Sequence, residues 1–222
     1  MADDRQSGAA MQEDGLDLTA FLDRLASNTP APGGGAASAL VGALGAASVA
    51  KVAAVSVGKP KFAAHEAELR DRLDHLLAVR QRFLALAAED EAAFATYMTA
   101  LRLPRGTDDE RAARAAALQE GMRQAAAVPL RIMAAAREVL DAAEVIAVIG
   151  NPTALGDCGA GATMALAAMR TSLLNVTANI SGLVDGAEVA GYRAQLHDLM
   201  GDVDERERVL LEAVRRRLAG EE

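Results

Sequence analysis

The chain has 222 residues, 51% of them apolar but only 3% aromatic, with no Trp. Apolar mass made mostly of Ala, Leu and Val favours closely packed helices over aromatic-rich sheets. A formal charge of −8 offers nucleic acid no bulk attraction, and a lone cysteine, Cys158, excludes an internal disulfide and a cysteine-based zinc site.

Residues 1–15 are polar, acidic and small, without the basic start and apolar run of a signal peptide. They read as a disordered leader on a cytoplasmic protein, with one helical domain over 16–222. Leu18, Phe21, Leu22 and Leu25 mark a short first helix, and Asn28 to Gly35 (NTPAPGGG) breaks the chain. A second helix is expected from about Ala36 to Val57, closed by Gly58 in a left-handed cap. It is apolar enough to raise the question of a membrane. Its Ala, Gly and Ser content, with Lys51 inside, fits a buried helix better.

Pro60 suits the first turn of a long third helix reaching about Leu101. Thr107 with Glu110 reads as a capping box for a fourth, and Pro129 is expected to break or kink the chain before a fifth ending near Gly150. Asp157 lies near the start of a sixth helix, and Asp185 with Glu188 offers a capping box for a charged last one. The expected fold is all-α: a single-domain bundle of about six or seven helices with one long central helix.

Several residues stand out against this background. The loop Gly33-Gly34-Gly35 precedes a helix instead of following a strand, so it is no dinucleotide fingerprint. Amides at such a helix start can hold an anion or a carbonyl oxygen, while three glycines also serve as a simple close-packing turn. The only three lysines, Lys51, Lys59 and Lys61, fall in one short stretch, against twenty arginines elsewhere. Lys changes its pKa readily when buried and Arg does not, which singles out Lys59 over a chance cluster at a helix junction and leaves both readings open for Lys61.

Asp90 sits on an apolar helical face with Phe83, Leu86, Ala87, Ala93, Phe94 and Tyr97. A carboxylate there needs a partner on a neighbouring helix or lines a cavity. Asn175 and Asn179, at i and i+4, point the same way, toward a ligand or across to another helix. Asp157 has a simple capping role open to it, and Cys158 reads as a small packing residue. His65, His75 and His197 have no ligand spacing, so no metal site is expected.

In order and spacing, certain stretches together resemble the cyclodeaminase/cyclohydrolase family. They are PAPGGG from Pro30, Gly58-Lys59 ahead of Phe62, DEAAF from Asp90, Leu101 to Leu130, Gly150-Asn151, Asp157, and LNVTANI with Asn175 and Asn179. The family comprises the cyclodeaminase part of formiminotransferase-cyclodeaminase and stand-alone methenyltetrahydrofolate cyclohydrolases. The resemblance implies an all-α homodimer or higher oligomer and a tetrahydrofolate substrate, with no cofactor beyond it and no metal.

It also implies a site near the Gly-rich loop, Lys59 and Asp157, completed across subunits. In that site Asp157 stabilises cationic carbon–nitrogen character, Lys59 moves a proton and Asp90 joins them in catalysis. Gly33, Gly34, Gly35, Lys61, Asn175 and Asn179 would bind the substrate. Three positions depart from the family pattern: Ala54 stands for a polar Asn or Gln, Gly156 for a Ser, and Lys51 for an apolar residue.

Lys61 and AREVLDAAE from Ala136 favour methenyltetrahydrofolate cyclohydrolase, whereas ALQEGMRQAAAVPL favours formiminotetrahydrofolate cyclodeaminase, served by a separate formiminotransferase. Ala54 and Gly156 motivate a third reading, a folate-binding or scaffolding bundle without catalysis. No nucleic-acid or membrane partner is expected.

Overall fold

The structure, a computed structural model, describes residues 16–220; the leader assigned to residues 1–15 lies outside them. Seven α-helices follow one another: α1 Leu18–Leu25, α2 Gly34–Ala54, α3 Glu66–Leu101, α4 Asp108–Ile149, α5 Leu155–Ile180, α6 Gly186–Met200 and α7 Val203–Ala219. Short 3-10 turns at Pro60–His65 and Pro152–Ala154 precede α3 and α5, and there is no strand among the described residues. The all-α expectation is met, but with two long helices, α3 of 36 residues and α4 of 42.

Small side chains set the spacing of the bundle. A Cβ on Gly45 of α2 would stand 2.8 Å from the Gly161 carbonyl oxygen of α5, and one on Gly161 would stand 2.7 Å from that of Gly45. The two backbones touch only because neither residue has a side chain. Gly42 makes room on the other flank for the buried Phe83 ring of α3.

The register along these contacts is antiparallel. Gly34 meets Asn175, Ser38 donates to the Thr171 hydroxyl at 2.8 Å, and Lys51 pairs with Asp157. Helices α3 and α4 run antiparallel as well, clasped by the pairs Arg82–Glu138 and Arg131–Glu89. Helices α2 to α5 therefore form an up-down-up-down bundle.

Helices α6 and α7 lie along its α4–α5 side. Arg206 of α7 bridges Asp141 and Glu144, while Arg170 of α5 reaches Asp204 and Glu207. The single charged last helix expected from sequence is thus two, divided at Gly201-Asp202. By length and composition α2 could cross a membrane, but it packs among α3, α4 and α5 and most of it is buried.

Local signals at the helix ends fare unevenly. Thr107 and Glu110 form the expected capping box. Asp185 accepts from the Ala187 and Glu188 amides, whereas Glu188 turns away to pair with Arg123, so that box is half made. Gly58 takes the left-handed conformation, φ +76°, yet α2 has already ended at Ala54, and the Gly58 amide instead donates to Glu66 at 2.8 Å.

Pro129 does not break the chain. It lies inside α4, where its ring leaves the Ala125 carbonyl without the usual i+4 donor. Asn179 of α5 supplies the missing hydrogen bond, Nδ2 to oxygen at 2.6 Å, and the helix continues.

Candidate active site

One end of the bundle holds a cavity of about 180 Å³. It is lined by the loop Pro30-Ala31 and Gly33 to Gly35, by Asp90, Glu91 and Phe94 of α3, by Ala125 of α4 and by Asn175 and Asn179 of α5. Asp90 reaches across from α3 to cap α2, its Oδ2 accepting the Ala36 amide at 2.9 Å. Its other oxygen occupies the space a side chain at Gly35 would need, since a Cβ there would stand 2.0 Å from Oδ1. The glycine is there because the carboxylate is.

Burial pushes the Asp90 carboxyl above its ordinary range; the Ala36 amide works against that rise and the neighbouring Glu91 charge adds to it. Glu91 is tied to Arg24, which anchors α1 at the cavity's edge.

The two asparagines have fixed orientations. Asn175 donates Nδ2 to the Thr171 carbonyl at 2.9 Å, and Asn179 donates to that of Ala125. A carbonyl can only accept, so the nitrogen end of each amide faces it, with one of its two N–H groups used and each Oδ1 turned elsewhere. Asn179 joins two helices, and both residues line the cavity.

Lys59, Lys61 and Asp157 are not in this cavity. Gly35 and Lys51 are sixteen residues apart on α2, about 24 Å along its axis, and the lysines lie beyond Lys51. Asp157 occupies the first turn of α5 without capping it, and its Oδ2 pairs with Lys51 Nζ at 2.7 Å. Lys59 opens the 3-10 turn before Pro60 with its side chain exposed. Lys61 is also exposed, its Nζ 5.8 Å above the Phe62 ring. Ala54 and Gly156, like Lys51, belong to this second pole, and all three are exposed.

Cys158 is buried, its thiol pushed up to about 12 by desolvation and donating to the Ala143 carbonyl, as suits a packing residue. Among the described residues no group of three or more His, Cys, Asp or Glu is arranged to hold a metal.

The family model described as formiminotransferase-cyclodeaminase matches residues 17–198. The chain belongs to that family. It is 40% identical to the methenyltetrahydrofolate cyclohydrolase of Methylorubrum extorquens, over 83% of this chain and 89% of that protein. It is 31% identical to the formimidoyltransferase-cyclodeaminase of Rattus norvegicus over 82% of this chain, but spans only 34% of that longer protein. The crystal structure of formiminotetrahydrofolate cyclodeaminase from Thermotoga maritima superposes with a TM-score of 0.76 over 92% of this chain and 96% of the other. At 24% identity it speaks for the fold alone.

Within this family fold, sequence reasoning missed Glu91, Phe94 and Ala125 as cavity residues. Phe94 was accessible in principle, since it lies four positions after Asp90 and so on the same helical face. Ala125 gave no signal of its own. Its place in the site follows from the proline four residues later and from a helix fifty residues away.

Proposed function

We propose that this protein is a methenyltetrahydrofolate cyclohydrolase, opening the methenyl bridge of its folate substrate to formyltetrahydrofolate. What supports the reading is likeness over nearly the full length of a stand-alone cyclohydrolase, against about a third of the two-activity relatives. In this reaction water adds to the methenyl cation, giving a tetrahedral carbon between the two folate nitrogens, and the ring opens as one carbon–nitrogen bond breaks. Asp157 would stabilise the cationic character and Lys59 would move the proton. We propose no metal and no cofactor beyond the tetrahydrofolate substrate, and a cytoplasmic setting.

The separation of the two poles favours a homodimer as the working unit. Leu44, at the midpoint of α2, is 57% exposed, and Leu40, Val41 and Ala47 continue its outward stripe. Two copies packed antiparallel along this stripe would bury it and set the Lys51–Lys59 pole of one against the Gly-rich loop of the other.

A second reading, formiminotetrahydrofolate cyclodeaminase acting beside a separate formiminotransferase, draws on the cyclodeaminase relatives. It would run through the same tetrahedral carbon with loss of ammonia. Incubating the purified protein with methenyltetrahydrofolate and with formiminotetrahydrofolate separates the two. Loss of the methenyl chromophore well above the uncatalysed rate is expected. Ammonia release from the formimino substrate alone would assign the cyclodeaminase instead, and binding without turnover would make the chain a folate-binding scaffold.

A further inference from the structure

Given the proposed folate substrate, on which this inference rests, the cavity's chemistry decides which end of that molecule enters it. The lining has two carboxylates, two carboxamides and one aromatic ring, and no Lys, Arg or His. Of the Asp90 carboxylate, Oδ2 holds the Ala36 amide, and Oδ1 takes no protein donor among the described residues. Asn175 and Asn179 each give one N–H to the Thr171 and Ala125 carbonyls, so each brings an acceptor Oδ1 and only one remaining N–H, and acceptors outnumber donors among the lining side chains.

An acceptor-rich pocket of this kind repels an anion and selects a planar group with adjacent N–H donors. Its volume of about 180 Å³ suits a ring system rather than a whole ligand of folate size, since a cavity of about 150 Å³ holds a benzene ring. Phe94 adds an aromatic ring to the lining.

We propose that this cavity receives the pteridine end of the folate, with the Asp90 carboxylate accepting hydrogen bonds from the ring N3–H and the 2-amino group. The 2-amino-4-oxo-pyrimidine edge is the one part of a folate with two parallel donors, and it matches the two oxygens of a carboxylate as a guanidinium does. The amides at the start of α2, which have no partner within the helix, supply donors for the 4-oxo oxygen. The anionic glutamate tail is directed away from this acidic lining. Asp90 is then a binding residue, not a mover of protons, and the role expected for it in catalysis gives way to ring recognition.

Calorimetric titration with three probes tests this: folic acid, its analogue carrying oxygen in place of the 2-amino group, and p-aminobenzoylglutamate. The wild-type chain should bind folic acid roughly 10- to 100-fold more tightly than the 2-oxo analogue, as the loss of a hydrogen bond to a charged group requires. The tail fragment alone should bind weakly. Asp90→Asn should shrink that preference to about threefold or less and, in turnover, raise KM more than it lowers kcat.

The probe series on the wild-type chain carries the test even should the variant fail to fold. Equal binding of folic acid and the 2-oxo analogue overturns the proposal, as does an Asp90→Asn protein that loses kcat at unchanged KM. Turnover without discrimination removes this subsite and leaves the enzyme activity standing. Discrimination without turnover of either folate keeps the subsite and removes the activity.

Discussion

Asn179 and Pro129, on different helices, complete one hydrogen-bonding arrangement: the carbonyl of Ala125 that the proline leaves without a helical donor is the one the asparagine side chain satisfies, at 2.6 Å. An unmade hydrogen bond at a fully buried carbonyl costs about 1–3 kcal/mol, and at this half-buried one the cost falls at the low end, so each residue is tolerated because of the other. Asn179→Ala should therefore destabilise the wild-type chain by about that amount. In a Pro129→Ala background the restored amide donates to Ala125, and the same substitution should cost far less. A double-mutant cycle from denaturant unfolding measures the coupling, expected at about 1 kcal/mol or more; additive effects would sink the account.

Asp90 carries a pH signature. Its folded carboxyl lies above the ordinary range, so the folded chain holds that proton more tightly than the unfolded one does. Its contribution to stability is therefore complete below the unfolded carboxylate range and is lost as pH rises through the raised value. Asp90→Asn keeps an acceptor for the Ala36 amide and removes the charge, so its melting temperature near pH 7 should equal or exceed that of the wild type. The advantage should vanish near pH 4, about where an unfolded aspartate titrates. A variant clearly less stable at pH 7 would show that the ionised carboxylate holds the fold together.

The glycines of the cavity loop are not equivalent. A methyl group on Gly35 would collide with the Asp90 carboxylate, whereas one on Gly33 meets nothing within 4 Å. Gly35→Ala should lower stability by about 1–3 kcal/mol, as overpacking does, and abolish folate binding. Gly33→Ala should leave stability nearly unchanged. Thermal melts and a folate titration of the two proteins check this, and equal effects would contradict the placement of Asp90.

Much of the fold was legible locally. The spacing of apolar residues located the helices, the Thr107–Glu110 box set the start of α4, and the left-handed turn at Gly58 followed from its residue type. Asp90 also announced itself, as an acid on an apolar face, though nothing nearby in sequence named the Ala36 amide as its partner. The misreading of Pro129 has a physical cause: the compensation comes from Asn179, and helix-breaking rules see only the helix itself. The distance between the Gly-rich loop and the Lys59–Asp157 pole within one chain was hidden for a related reason. Membership in a site depends on the register of α2 against α5, and that register sets Asp157 opposite Lys51 and Asn175 opposite Gly34.

That register makes the assembly itself testable. If a working site joins the Asp90 cavity of one copy to the Lys59–Asp157 pole of another, Asp90→Asn and Lys59→Met impair the same site from different subunits. Each pure variant should then be nearly inactive at low substrate. Lys59→Arg should be inactive too, because a guanidinium does not release its proton near neutral pH. Mixing the Asp90→Asn and Lys59→Met proteins under conditions that exchange subunits forms hybrid dimers. Each hybrid has one site with both substitutions and one with neither. Random exchange makes half of the dimers hybrids, so activity should return to about a quarter of the wild-type value. A site contained within one protomer predicts no recovery at all. Leu44→Asp supplies the matching check, because a charge at the midpoint of the exposed stripe should give a monomer in sedimentation and abolish turnover. An active Leu44→Asp monomer, or a mixture that stays as inactive as its parents, would confine the chemistry to a single chain.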